Sequence, residues 1–155
     1  MMIQRIQTLY LFLISALIAV MLFTPLAWFA GEAGAFELHA FALEMAKGEP
    51  LHTTVYLGVL LVAALALPLV TIFLYRNRML QIRLCCVEMV LLLGCLVMEG
   101  IYYYLARRAF SDLAFHSQGL KPAIVLPIVG LLFAYLAARA IFKDELLIRE
   151  SDRIR

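Results

Sequence analysis

The chain has 155 residues, 65% of them hydrophobic and only 15% charged, with a mean hydropathy of +0.96. Soluble domains are nearer about half apolar and about a quarter charged, so a chain dominated by a water-soluble fold is excluded. A net charge of +2 gives no basis for nucleic-acid binding.

Residues 6–31, 53–75 and 122–138 carry no charge, and residues 84–106 carry only Glu88 and Glu99. A helix of about 20 mostly apolar residues crosses the hydrocarbon core of a bilayer. Lipid offers no partners for backbone N–H and C=O groups, so such segments must be helical. Short loops join them, and short loops between helices give up-down packing. The expectation is an all-α fold, an antiparallel four-helix transmembrane bundle with a short cytoplasmic C-terminal helical extension. One integral membrane domain would cover residues 1–155, with the lipid bilayer as its first partner.

Span one is expected at about residues 8–30. It is longer than the apolar core of a signal peptide, so an uncleaved span is expected. Pro25 would kink its outer end, and Trp28 would sit in the interfacial aromatic belt. The first loop holds Glu32, Glu37, Glu44 and Glu49 against Lys47. Its apolar middle, residues 36–45, is expected as a short helix on the membrane surface. Span two, residues 53–75, contains Pro68 and runs into a basic turn with Arg76, Arg78 and Arg83. Span three covers residues 84–105 and ends in the interfacial run Tyr102, Tyr103 and Tyr104. Span four covers residues 123–142, with Pro127 in its first turns. Arg139 and Lys143 can snorkel to headgroups at its exit. The tail continues as a helix in which Glu145 and Arg149 are four apart, in the favourable order.

Positive charge is unequal on the two sides. One side holds Arg5, Arg76, Arg78, Arg83, Arg139, Lys143, Arg149, Arg153 and Arg155, the other Lys47, Arg107, Arg108 and Lys121. The positive-inside rule then places both termini in the cytoplasm and the protein in the bacterial inner membrane.

Glu88 and Glu99 are the strongest pointers to a site, because carboxylates inside a span are costly and face the bundle interior. Eleven residues separate them, which returns them to nearly one helix face, roughly 16 Å apart along the axis. That is too far for a shared proton or a single metal ion. Glu88 is expected to pair with Arg83 or the Arg5 region, and Glu99 has Arg107 and Tyr103 nearby. Gly130, Ala134 and Ala138 recur every four residues and would let helices approach closely, within the bundle or between two copies. Cys85, Cys86 and Cys95 are expected as free thiols. His39, His52 and His116 lack the short-spaced partners a zinc site needs. No cofactor motif, phosphate loop or hydrolase elbow is present, so the chain does not read as an enzyme.

Three polar segments carry a resemblance. They are the opening Met2-Ile3-Gln4-Arg5-Ile6-Gln7-Thr8-Leu9-Tyr10, the turn Arg78-Met79-Leu80-Gln81-Ile82-Arg83-Leu84, and the ending from Arg139 to Arg155. Together they resemble the small four-span bacterial family called domain of unknown function 4293, typical of Bacteroidota. The resemblance implies a fold and a membrane location and brings no activity. All three segments fall on the expected inner face. There Gln4, Arg5, Gln7, Arg78, Gln81, Arg83, Arg139, Asp144, Glu145, Arg149, Asp152 and Arg153 would form one polar layer. That layer would knit the helix ends together and dock a membrane or cytoplasmic protein, or a second copy. The leading reading is thus a non-enzymatic structural or interaction component. The alternative is a small transporter or proton or ion pathway using Glu88 and Glu99, which needs a wet cavity reaching one of them.

Overall fold

The computed structural model describes residues 2–31, 34–45, 50–74, 77–109 and 115–153. Four long helices form an antiparallel bundle: α1 (Met2–Phe23), α2 (Val55–Phe73), α3 (Arg78–Ala109) and α4 (Leu126–Arg153). All four are long and apolar enough to cross a membrane. The start of α1 and the finish of α4 lie at one end of the bundle, called here the terminal end. The expected bundle is present, and α4 carries the expected helical extension.

The buried positions repeat every three and four residues. They are Gln7, Leu11, Ile14, Ile18 and Met21 on α1, and Leu57, Leu61, Ala64, Pro68 and Thr71 on α2. On α3 they are Gln81, Cys85, Glu88, Leu92, Cys95 and Glu99, and on α4 Pro127, Gly130, Ala134, Ala137 and Ile141. A seven-residue period of this kind is the signature of helices packed knobs-into-holes along their length. Small residues dominate the α4 stripe. Leu92 of α3 packs over Gly130, where no side chain intervenes, so the bundle closes tightly there.

The opposite end differs from the expectation. The loops there form a five-stranded antiparallel sheet in the order β4-β3-β2-β1-β5. Its strands are β1 (Ala27–Gly31), β2 (Gly34–Leu38), β3 (Ala42–Met45), β4 (Pro50–Thr53) and β5 (Phe115–Leu120). Helix α1 therefore stops at Phe23 and does not reach Ala30. The reason is local: Pro25 has no N–H and pushes Thr24 out of helical geometry. Thr24 closes the helix by donating both its N–H and its Oγ1 hydroxyl to the Val20 carbonyl. Trp28 accordingly lies in a strand and not at the end of a span.

Residues 36–45 are not a surface helix. Phe36 and Leu38 are buried while Glu37 between them is not, the two-residue alternation of a half-buried strand. They pair across to β1 and β3, with Phe29 opposite Phe36 and Leu38 opposite Leu43. Gly34 takes φ +127° beyond the first hairpin, a conformation that favours glycine. The buried sheet face (Ala27, Phe29, Phe36, Leu38 and Leu43) is continuous with the helical core. The join is specific. Phe29 meets the Tyr103 ring at 5.5 Å, the Thr54 hydroxyl donates to the His39 carbonyl, and Phe41 lies against Gly58 of α2.

Candidate functional site

Three places gather polar side chains: the bundle core, the terminal end and the sheet end. In the core, Glu88 and Glu99 are each only 1% exposed. Neither carboxylate has a hydrogen-bond partner among the described residues. The expected pairing of Glu88 with Arg83 is not formed, and neither Arg107 nor Tyr103 is a partner of Glu99; the Arg5 side chain lies outside the described residues.

Contacts between the helices fix how deep these groups lie. Arg78 bridges to Asp144 and Leu92 covers Gly130, which sets the α3–α4 register. Carried along both helices, that register puts Glu88 level with Ala134 and Glu99 level with Ala123. On the α2 side, Gln81 Nε2 donates to the Thr71 carbonyl and a Leu60 methyl lies beside Gly94. Glu88 is then level with the Ala64 turn at mid-bundle, and Glu99 with Thr54, where α2 begins. Because α3 starts at Arg78 rather than near Leu84, Glu88 lies deeper than its distance from the basic turn suggests.

The other buried polar side chains are Gln7, Ser15, Thr54, Thr71 and Gln81. Ser15 and Thr71 each return a hydroxyl proton to the carbonyl four residues back, which satisfies them within their own helices. Gln7 Nε2 has no partner among the described residues. Cys85 and Cys95 are buried and Cys86 is exposed, all as free thiols. Gly130 and Ala134 are buried where helix packing demands small residues. Ala138 is only partly buried, and Ala137 takes the central place in that stripe.

At the terminal end, the structure joins part of the expected polar layer. Arg78 donates to Asp144 at 2.6 Å and ties α3 to α4. Gln81 ties α3 to α2 through the Thr71 carbonyl at 3.0 Å. Thr71 in this role was not readable from sequence, since the acceptor is its backbone. Arg83 and Arg139 are exposed. Glu145 lines a groove of about 540 Å³ together with Asn77, Arg78, Met79, Leu80, Arg83 and Ile148. The side chains of Gln4, Arg5, Arg149, Asp152 and Arg153 lie outside the described residues.

A third polar cluster, at the sheet end, was not anticipated. Lys121 Nζ donates to Glu37 Oε1 at 2.7 Å, and His39 Nε2 lies 3.6 Å from the other oxygen. The hydrogen bond from Lys121 holds the Glu37 carboxyl below its ordinary value; the charges of Lys121 and His39 add to this, and partial burial opposes it. A cleft of about 340 Å³ lies between the sheet and α3, lined by Leu38, Leu43, Thr53, Thr54, Tyr102, Leu105 and Ala106. No set of three or more His, Cys, Asp or Glu residues among those described is placed to share a metal ion. The side chains of His52 and His116 lie outside the described residues.

Four antiparallel apolar helices, with polar groups turned inward and clustered at the ends, define a multi-pass membrane protein. Residues 3–154 match the model of a family described as a domain of unknown function, DUF4293. The chain belongs to that family. No curated protein matches it.

Proposed function

We propose that this is a non-enzymatic component of the bacterial inner membrane, with both termini in the cytoplasm, that works by holding a protein partner at its terminal end. One observation carries the reading. Helix α4 continues past the Arg78–Asp144 bridge to Arg153, and presents Leu146, Leu147 and Ile148 exposed among charged neighbours. Apolar side chains on a helix leaving the bilayer, rimmed by charge, match a surface for an amphipathic partner helix. The excess of Lys and Arg at this end supports the cytoplasmic orientation.

The test is a detergent pull-down with identification of co-purifying proteins by mass spectrometry. Leu146→Glu together with Leu147→Glu is expected to remove a stoichiometric partner and leave the bundle intact. Charge reversal at Arg149 or Arg153 should weaken it. An unchanged set of partners in all of these variants would sink the reading, as would a C-terminal tag reachable from the periplasm in intact cells. A proton or ion pathway through Glu88 and Glu99 is the second reading. It requires water to reach one carboxylate, and the cavities described above are lined by other residues.

A further inference from the structure

We propose that the groove between the first turns of α3 and the α4 extension binds the headgroup of an anionic phospholipid. Arg83 is the central observation. It lies on the stripe Leu80, Arg83, Val87 and Val90, spaced three and four residues apart on α3. All four are exposed, so one helix face presents them together. In a four-helix bundle that crosses a bilayer, this face looks into lipid. Arg83 carries no ion pair or side-chain hydrogen bond among the described residues. It stands about 7–8 Å along the axis from the first residue of α3. A guanidinium at that depth reaches the headgroup region with its aliphatic stem along the helix.

The groove supplies the rest of the fit. Arg78 is held rigidly by Asp144, which neutralises its charge and leaves further N–H groups on its fork. Met79, Leu80 and Ile148 supply apolar walls beside the two arginines. Asp144 and Glu145 are the acids at the groove. Asp144 offsets Arg78, and Glu145 has an interaction of its own, so Arg83 is the cation left to be matched while the two acids oppose a multiply charged ligand. A guanidinium pairs with a phosphate through two parallel hydrogen bonds. A singly charged phospholipid such as phosphatidylglycerol meets these constraints. The lipid-facing stripe below the groove, Val87 and Val90, continues the path for its tails.

A lipid in this groove and a protein on the α4 extension are separable, because the lipid is read with purified protein alone. Delipidated protein in detergent would be titrated with phosphatidylglycerol and with phosphatidylcholine of the same chains, and bound lipid counted by native mass spectrometry. One basic residue at the headgroup is expected to give about fivefold preference for the anionic lipid. Arg83→Gln should erase that preference, and Ile148→Trp, which fills the groove, should reduce binding. Arg107→Gln, an exposed arginine at the other end, should leave the preference unchanged. Equal binding of the two lipids by the wild-type protein overturns the proposal. So does a preference that survives Arg83→Gln, or one that Arg107→Gln removes equally well.

Discussion

The same side chain meets opposite circumstances in two regions of this protein. At the sheet end, Glu37 is about one-third exposed, accepts a hydrogen bond from Lys121 and lies beside His39. In the bundle, Glu88 and Glu99 are sealed by packing and have no partner among the described residues. The first is a partnered and partly exposed carboxylate, and such a group adds a little stability. The others are polar groups held where they cost free energy. A leucine at either position would carry no such cost.

The contrast can be broken from the interior first. Glu88→Leu is expected to raise the thermal unfolding midpoint in detergent, with a gain of about 1–3 kcal/mol from removing an unsatisfied buried group. Glu99→Leu should act in the same direction. A large loss of stability in both would mean that the carboxylates have partners in the membrane and are not the costly groups described here. The joint between the regions comes next. Gly58→Val would push its side chain into the Phe41 ring. Because Phe41 is half-exposed and can swing outward, the expected loss is about 1–2 kcal/mol, with the sheet loosening before the bundle. Protease cleavage within β2–β3 would report it.

Arg78→Ala removes the link between α3 and α4 and leaves Asp144 half-buried. A loss of about 1 kcal/mol is expected, and Asp144→Asn paired with it should recover part of that loss in a double-mutant cycle. The smallest effect belongs to Glu37. Its folded carboxyl titrates below the ordinary value, so its contribution is present above the unfolded value of about 4.3. That contribution is lost as pH falls through the folded value. An exposed pair of this kind is worth about 0.5 kcal/mol, and Glu37→Gln should abolish this part of the acid dependence. A Glu37→Gln protein with an unchanged acid profile would show that the Lys121 bridge does not stabilise the sheet.

The number of helices was legible because lipid sets their length, and runs without charge are plain in the sequence. Which face of each helix turns inward was not legible from hydrophobicity, because lipid makes the outside as apolar as the inside. Exposed Val90 and buried Leu92 look alike on a hydropathy scale. The signal that works is the reverse of the soluble rule: Gln7, Gln81, Glu88 and Glu99 mark the interior, and counting from them by threes and fours recovers the buried stripe of α3. The sheet was missed because its strands are short and apolar on one face only. The period-two pattern of Phe36, Glu37 and Leu38 lies within a segment whose overall apolarity favoured a helix. The Gly31 and Gly34 pair that frames the first hairpin was the available clue. The Arg78–Asp144 bridge joined two residues both assigned to the polar layer, but their partnership depends on the α3–α4 register, which only packing reveals.

Strand β5 comes from the connection between α3 and α4, yet it pairs with β1, which follows α1. The other four strands are contiguous in the chain, but β1 has no neighbour on its second edge until two further helices have been synthesised and inserted. Completion of the sheet is therefore a late event in biogenesis. Its arrival ties the first and third connections together across the bundle, so a ribosome stalled before residue 115 would leave that edge open.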